Sequence, residues 1–396
     1  MPSASKKNGL NRPPSMMELA DELDLSVATV SNALRGCGAM TAATRQRVVA
    51  AAAKRHYRPS LLAQQLKQRS TRTIGMLVPM IGDTAYAPML QAVERVARSN
   101  GYNVILGDTE LSADLEREYT EMMMQRRVEG VIMIPYAPRP AAGEGHLLEL
   151  EKAGVPLVLL DQDLPLPGIA RVVADNQGAI RTAVRHLAGL GHRRIGFLYM
   201  APVAWDFASR ARLNGFRAAV AELGLTPEAA PELAVGEVAI GDEAAHNEHI
   251  TQLVAQLMAR PDRPTAIVVP TDMLAIKIMR CLWLAGLKVP DDLAVVGFDD
   301  ILVAAHTTPS LTTMRQPAAA MGARAAERLF ARIRGEAVTA ATCEILPCEL
   351  VVRESCGAGT PASLRHSDHF PKAAEPFGSN CPTPTVAERR AVTPRS

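Results

Sequence analysis

The sequence predicts a doubly wound α/β fold that follows a small, all-helical N-terminal unit. From Thr73 onward, apolar runs of strand length alternate with stretches of helical pattern: TIGMLVP, YNVILGD, GVIMIP, VPLVLLD, RRIGFLYM, TAIVVP and LAVVGFD. Each run is continuously apolar, which is typical of strands buried on both faces of a parallel sheet covered by helices. With 396 residues and 48% hydrophobic content, the chain can fill two or three cores.

The first predicted helix begins after Ser15, a residue suited to capping it. Its apolar face, at spacing i, i+3, i+4 and i+7, consists of Met16, Leu19, Ala20 and Leu23. Asp24 ends the helix at a position that requires a left-handed backbone, which Asp tolerates better than most residues.

A second helix follows after a tight turn and is capped by Ser26. Val30 and Leu34 can face the first helix, and the outward positions are Val27, Ala28, Thr29 and Asn32. Such a helix-turn-helix exposes its second helix to a DNA groove. The alternative is an ordinary helical hairpin packed against a core.

A third helix is predicted from Thr41 to the proline at position 59, with Val48, Val49 and Ala52 as its apolar cover. The stretch SLLAQQLKQRST comes next and is compatible with a short helix that leads into the first strand.

Charge is unevenly distributed along the chain, although the whole sequence carries a net charge of only +2. Residues 1–72 contain twelve Lys and Arg against four Asp and Glu, a net of +8, and the rest contain 31 against 37, a net of −6. A localised positive module is what attraction to DNA phosphates requires. A solvated basic tail is the alternative, but a tail would not contain three capped amphipathic segments.

Seven motifs spread between residues 15 and 357 carry a family resemblance. They are LSVATVSNALRG, TAATRQRVVAAAAKRHYRP, LLAQQL, GHRRIGFL, ARLNGFRAA, VPDDLAVVGFDD and PSLTTMRQP. Together they make the chain resemble the LacI/GalR-type (lac repressor) family of transcriptional regulators. The resemblance implies a DNA-binding repressor that binds a pseudo-palindromic operator as a homodimer and is switched by a small-molecule effector.

The resemblance also implies a domain order. It places a helix-turn-helix headpiece at residues 15–59, a hinge helix and linker at 60–72, and a two-lobed periplasmic-binding-protein-like module at 73–357. Lobe one is expected at about 73–164 and 316–345, and lobe two at about 165–315 and 346–357. By composition, residues 1–14 and 358–396 are expected to be disordered.

The residues that the resemblance assigns to DNA fall into three groups. Base edges are assigned to Val27, Ala28 and Asn32, phosphates to Ser26, Thr29, Ser31, Thr44 and Tyr57, and a hinge lever to Leu66. Val27 and Ala28 suit a thymine methyl, and an Asn amide suits adenine. Because family members often carry Arg at the position of Asn32, the sequence of the half-site stays open.

Leu66 is interpreted as a wedge that enters a flexible base step and kinks the duplex. The alternative is packing within an ordinary linker helix.

Polar residues follow several predicted strands, at the edge where ligands bind in open α/β sheets. They are Asp161, Asp163, Asp175, Asn176, Thr271, Asp272, Asp299 and Asp300. The resemblance assigns the effector cleft to Arg212, Thr271 and Asp299, and a carboxylate beside an arginine suits a ligand rich in hydroxyls. For Asp163, Asp175 and Asp300 a structural role, such as helix capping, is the alternative.

In the first lobe the chain departs from the Asn-Pro-Phe-Phe-like segment that is usual in the family. It has Asp83, Thr84, Ala85 and Tyr86 instead, which leaves one aromatic residue to stack on a sugar ring. The expected effector is a sugar or sugar derivative.

Other classes of protein find less support in the sequence. The chain has no GxxxxGK, HExxH or GxSxG motif and no paired cysteine spacing, so no catalytic residue, cofactor or metal is expected. No run is long enough to cross a bilayer and no secretory signal is present, so a cytoplasmic protein is expected. A free-standing sugar-binding protein would have no use for the basic N-terminal unit, and a sugar-modifying enzyme would need a phosphate loop or an obvious acid/base pair.

Overall fold

A computed structural model describes residues 15–57, 70–135, 145–164, 166–200, 207–235, 243–336 and 343–359. Leu66 and most of the predicted hinge segment lie outside the described residues, as do residues 1–14 and 360–396. Among the described helices, none combines the length and apolar character that a membrane crossing requires.

The N-terminal headpiece contains three helices, α1 Met16–Leu23, α2 Val27–Leu34 and α3 Ala42–Lys54. Ser15 and Glu18 form a capping box at the start of α1, and Asp24 ends this helix with the predicted left-handed backbone at φ 55°. Leu19, Val30 and Val48 are fully buried and join the three helices into one small core.

Two details of the headpiece differ from the prediction. Helix α3 ends at Lys54 rather than near the proline at position 59, because His56 adopts a left-handed backbone at φ 51° that a helix cannot continue. Val49 is 49% exposed, because it lies about 100° around the helix from the buried Val48.

The α/β part of the chain forms two compact units, and each contains one six-stranded sheet. The strands are β1 Thr73–Val78, β2 Asn103–Asp108, β3 Val131–Met133, β4 Leu157–Leu160, β5 Ala170–Ala174, β6 Ile195–Met200, β7 Glu232–Val235, β8 Ala266–Val268, β9 Ala294–Asp299, β10 Thr312–Arg315, β11 Cys343–Leu346 and β12 Glu349–Val351. The helices are α4 Ala87–Ser99, α5 Ala113–Gln125, α6 Gly145–Lys152, α7 Asn176–Gly189, α8 Phe207–Leu223, α9 Glu243–Ala259, α10 Asp272–Leu284 and α11 Ala318–Ile333, with a 3-10 helix at Leu302–His306.

The two sheets repeat one topology. The first has the strand order β11-β5-β4-β3-β1-β2, and the second has the order β12-β10-β9-β8-β6-β7. The strand pairs are parallel, as the continuous apolar runs predict, with the exception of the antiparallel pair β10 and β12. In each sheet the first five strands in chain order, β1–β5 or β6–β10, are arranged as in a doubly wound fold. In such folds ligands bind beyond the carboxyl ends of the strands.

The first boundary between the two units lies later in the sequence than we expected. The first unit extends to Asp175 and also contains Pro317–Leu346, whereas the predicted first boundary lay after residue 164. The difference arises because β5 pairs in parallel with β4 and therefore belongs to the first sheet. The second unit resumes at Pro347, which begins the segment that supplies the edge strand β12.

Candidate functional site

Helix α2 turns one side to the headpiece core and the other side outward. Val30 is fully buried, whereas Val27 is 42% exposed and Ala28 is exposed. Ser26 caps the helix, because its Oγ accepts a hydrogen bond from the backbone N–H of Thr29 at 3.0 Å. The headpiece therefore leaves the outer side of α2 exposed to solvent.

Asn32, the third predicted base-reading residue, is half-buried and is held by its neighbours. Its Oδ1 accepts a hydrogen bond from Nη2 of Arg35 at 2.8 Å. A Cβ placed on Gly38 would lie 3.1 Å from Nδ2 of Asn32, so the turn after α2 packs closely against the amide. We expected a freely available amide from the sequence, and Arg35 was not among the predicted contacts.

Three of the five predicted phosphate contacts, Ser26, Thr29 and Thr44, lie at the starts of two helices. The hydroxyls of Ser26 and Thr29 lie 2.8 Å apart, and so do those of Thr41 and Thr44 at the start of α3. Ser31 is half-buried on α2. Tyr57 is also half-buried against the headpiece core, and burial raises the pKa of its phenol.

Arg212 lies on α8 and is buried within the second unit. Its Nε donates a hydrogen bond to Oδ1 of Asn176 at 2.7 Å, and its Nη1 donates to the carbonyl oxygen of Pro270 at 2.6 Å. Its Cζ lies 3.7 Å from the centre of the Phe298 ring in a cation–π contact. Within the described residues Nη2 donates no hydrogen bond, so this nitrogen is available to an incoming ligand.

These contacts place Arg212 beside the ends of two neighbouring strands. Pro270 directly precedes Thr271 after β8, and Phe298 directly precedes Asp299 at the end of β9. The structure therefore places Arg212 near the carboxyl ends of β8 and β9, the two strands that Thr271 and Asp299 follow.

Thr271 and Asp299 each have a structural contact as well as a polar group near this edge. The hydroxyl of Thr271 accepts a hydrogen bond from the N–H of Leu274 at 3.3 Å, which caps α10, and it keeps one hydrogen to donate. Oδ1 of Asp299 accepts a hydrogen bond from Nε2 of Gln316 at 3.0 Å.

The turn that carries Asp299 is strained and strongly braced. Asp299 has φ 113° and Asp300 has φ 59°, values that non-glycine residues rarely adopt. The carboxylate of Asp300 pairs with Arg315 at 2.7 Å and with Arg353 at 2.6 Å. Asp300 thus has the structural role considered as the alternative, and it fixes the turn that presents Asp299.

Asp272 is fully buried beside this edge and joins three segments of the second unit. Its Oδ2 accepts a hydrogen bond from the N–H of Ile301 at 2.9 Å, and its Oδ1 accepts one from the hydroxyl of Thr313 at 2.6 Å. Burial, with a smaller contribution from the Asp300 carboxylate, raises the pKa of Asp272 to about 7 against the effect of these hydrogen bonds.

The predicted effector residues of the first unit follow β1 and β4. Oδ1 of Asp83 accepts a hydrogen bond from the N–H of Ala85 at 2.9 Å, and half-buried Tyr86 directly precedes α4. Asp161 is buried with a left-handed backbone at φ 66°. Asp163 is more exposed and pairs with Arg171 at 3.3 Å. All four predicted residues follow strands of the same parallel sheet at its carboxyl edge.

Two residues of the second unit were mentioned at strand ends but were not chosen as site residues. Asn176 contacts Arg212 directly, and Asp272 supports the Asp299 turn through Ile301. In the sequence, the only indication for either residue is a polar side chain just after a predicted strand. Several other polar residues share that position, so it does not single out these two.

The headpiece and the polar strand ends of an α/β unit together define a class of protein, the ligand-controlled DNA-binding regulators. Residues 184–356 match the model of a periplasmic binding protein-like domain. The HTH-type transcriptional repressor PurR of Photobacterium profundum is 31% identical over 340 residues, which cover 85% of this chain and 97% of the relative.

Solved structures show the same similarity. The lac repressor dimer bound to operator and the anti-inducer ONPF has a TM-score of 0.75 at 26% identity, covering 87% of this chain and 99% of that chain. The complex of the transcriptional regulator CelR with cellobiose has a TM-score of 0.62 at 26% identity, covering 86% and 99%. The chain belongs to the LacI/GalR-type family of transcriptional regulators, and it is a DNA-binding repressor under the control of a small-molecule effector.

Proposed function

We propose that the protein binds a pseudo-palindromic operator as a homodimer and that its effector is a sugar or sugar derivative. The operator is contacted through Ser26, Val27, Ala28, Thr29, Ser31, Asn32, Thr44, Tyr57 and Leu66. The exposed outer side of α2, opposite the buried Val30, is the observation that carries this proposal.

The homodimer follows from the size of the recognition helix. Helix α2 has only eight residues, and a two-fold protein gains affinity and specificity by placing one such helix in each half-site. We assign part of the contact surface to the 3-10 helix, where Leu302 is 83% exposed and Val303 is 47% exposed. Light scattering of the Leu302→Asp variant should then show a shift from dimer to monomer.

The effector class follows from the chemistry of the second unit. Arg212 offers a nitrogen donor, Thr271 a hydroxyl and Asp299 a carboxylate, and such a set can bind adjacent hydroxyls. In the first unit, Asp83, Tyr86, Asp161 and Asp163 are proposed to add contacts. The structure of CelR with cellobiose shows that a protein of similar fold binds a sugar. We infer a binding role for these groups rather than a catalytic one.

Effector and operator are proposed to affect each other through linkage. An effector that prefers one conformation of the protein changes DNA affinity by the same factor by which DNA changes effector affinity. We further infer that the protein acts in the cytoplasm, where bacterial relatives meet their operators.

Retardation of duplex DNA tests the proposal against a free-standing sugar-binding protein. The intact chain should retard a fragment of its own promoter more strongly than random duplex, and a chain without residues 1–72 should retard neither. Equal retardation of both duplexes by the intact chain would contradict operator binding. A thermal-shift screen of sugars and sugar phosphates tests the effector class, because a ligand that binds only the folded protein raises its stability.

A further inference from the structure

The outer side of α2 includes a residue that the proposed operator contacts leave out. Ala28, Ser31, Asn32 and Arg35 have the spacing i, i+3, i+4 and i+7, which places them on one stripe of the helix. Arg35 keeps a helical backbone, with φ −82° and ψ −5°, so it continues this stripe beyond Leu34. The buried Val30 lies on the opposite side of the helix.

Two hydrogen bonds hold the exposed guanidinium of Arg35 on this stripe. Its Nε donates to the carbonyl oxygen of Ser31 at 3.2 Å, and its Nη2 donates to Oδ1 of Asn32 at 2.8 Å. Nη1 donates no hydrogen bond to any residue that the structure describes. The guanidinium is therefore positioned, and it still has N–H groups to offer to a partner.

Two contacts occupy the amide oxygen of Asn32, the acceptor that adenine recognition requires. A bidentate Asn–adenine pair needs the amide oxygen to accept from N6 and the amide nitrogen to donate to N7. Oδ1 of Asn32 can accept two hydrogen bonds, and both Nη2 of Arg35 at 2.8 Å and the thiol of Cys37 at 3.9 Å donate to it. Asn32 and Arg35 together therefore present mainly donors. Guanine presents two acceptors in the major groove, N7 and O6, whereas adenine presents one acceptor and one donor.

We propose that Arg35 recognises a guanine in each operator half-site and that Asn32 acts as its positioning residue. This inference rests on the proposed operator binding and specifies the base that α2 selects. Asn32 holds the guanidinium through Oδ1, and the close packing of Gly38 keeps the amide in place. The base that Arg35 contacts lies toward the C-terminal end of the helix, one turn beyond the position of Asn32.

A phosphate contact by Arg35 is the competing assignment, and it makes a different prediction. A base contact carries sequence information, so its loss relaxes the preference at one position of the site. A phosphate contact carries none, so its loss weakens binding to all sequences alike.

Selection from a library of random DNA duplexes by the full-length protein tests the assignment. The wild type should enrich a two-fold site with guanine at one position of each half. Arg35→Ala should lower the preference for this guanine by about tenfold to a hundredfold and leave the other positions selected. Arg35→Lys keeps the charge without the planar fork, so it should retain most of the affinity and lose much of the preference.

Two more variants separate positioning from direct reading. Asn32→Ala should keep guanine as the preferred base with a smaller margin, because Arg35 loses its support. Lys54→Ala removes one exposed positive charge from α3 and serves as a control with an unchanged selected site.

Three results would overturn the assignment. The first is an unchanged site for Arg35→Ala together with the loss of an adenine preference for Asn32→Ala, which would make Asn32 the reader. The second is a uniform loss of affinity in Arg35→Ala at an unchanged preference, which would indicate a phosphate contact. The third is a wild type that enriches no sequence, which would remove the operator proposal together with this inference.

Discussion

The Cζ atom of Arg212 lies 3.7 Å from the centre of the Phe298 ring, and the two residues connect α8 to the end of β9. The ring occupies one face of the guanidinium, while Asn176 and Pro270 accept hydrogen bonds at its edge. Only a planar group with several N–H donors can make all these contacts at once.

Arg212→Lys should therefore abolish the response to effector even though it keeps the charge. The ammonium of Lys cannot donate to Asn176 and Pro270 and also present a further donor in the same geometry. In the thermal-shift screen, a sugar that stabilises the wild type should not shift this variant, and DNA retardation without effector should be unchanged. Arg217→Lys is the matched control, because Arg217 is on the same helix but pairs with Glu232 at the surface. An unaltered shift in Arg212→Lys would remove Arg212 from the site.

The strained backbone of Asp299 predicts an order of stability between two variants. Both Asp299→Ala and Asp299→Gly lose the carboxylate and its hydrogen bond to Gln316, but only glycine adopts φ 113° without strain. The glycine variant should unfold at a higher urea concentration, with an advantage of about 1–2 kcal/mol in the free energy of unfolding. Neither variant should respond to effector. Equal stability of the two would mean that the turn stores no strain at this residue.

Local signals made the headpiece predictable from the sequence. Ser15, Asp24 and Ser26 act on backbone groups within a few residues of themselves, so their capping roles follow from local sequence alone. The buried strands were similarly evident from continuous apolar runs. The strands β7, β11 and β12 were missed because they are only partly buried and their residues are mixed in polarity. Strand β10 was missed because its sequence TTMR is mainly polar, although three of its four residues are buried.

The polar contacts of the site could not be predicted in this way. Arg212 meets Asn176 across 36 positions of the chain, and Asp272 meets Thr313 across 41 positions. No periodicity in a short window encodes such a pair, because tertiary packing decides which strand ends become neighbours. The family resemblance supplied Arg212, and it offered no comparable indication for Asn176 or Arg35.

The raised pKa of Asp272 predicts a dependence of stability on pH. The folded protein holds a proton on this carboxyl up to about pH 7, whereas an unfolded chain releases it near its ordinary value of 3.8. The folded state therefore binds more protons between about pH 4 and 7, and the contribution of Asp272 to stability is lost as the pH rises through this window. Urea unfolding at several pH values should show a flatter profile for Asp272→Asn than for the wild type.

The difference between the stability profiles of the wild type and Asp272→Asn isolates the contribution of this carboxyl, because the other groups that titrate between about pH 4 and 7 are common to both proteins. Asp291→Asn, a change at an exposed position on the same unit, is the control and should follow the wild-type profile. Parallel profiles for the wild type and Asp272→Asn would show that the buried carboxyl has no shifted pKa.

Helix α8 contacts α7 closely through Gly215. A Cβ at this position would overlap the carbonyl oxygen and Cα of Gln177, which are backbone atoms and cannot rotate away. Gly215→Ala should lower the free energy of unfolding by about 1–3 kcal/mol, the usual cost of overpacking. Gly189→Ala is the matched control, because its added Cβ would meet no atom within 4 Å apart from its chain neighbours and its own helix backbone, and alanine favours a helix by up to about 1 kcal/mol. If both variants shift the urea midpoint in the same direction, helix packing does not depend on Gly215.

Ser26 has two proposed roles, as the cap of α2 and as a phosphate contact, and two substitutions separate them. Ser26→Ala loses the hydrogen bond to the N–H of Thr29, at a cost of about 1 kcal/mol in helix stability. Ser26→Asp keeps a capping oxygen but brings a negative charge to the phosphate. The Asp variant should have a more stable headpiece than the Ala variant, measured by amide exchange. If Ser26 contacts DNA, the Asp variant should nevertheless bind DNA more weakly than the Ala variant in a retardation assay. Ser15→Asp places the same charge at the cap of α1, away from the proposed contacts, and should leave binding unchanged. Tighter binding by Ser26→Asp than by Ser26→Ala would restrict Ser26 to its capping role, because a phosphate neighbour must repel the added carboxylate.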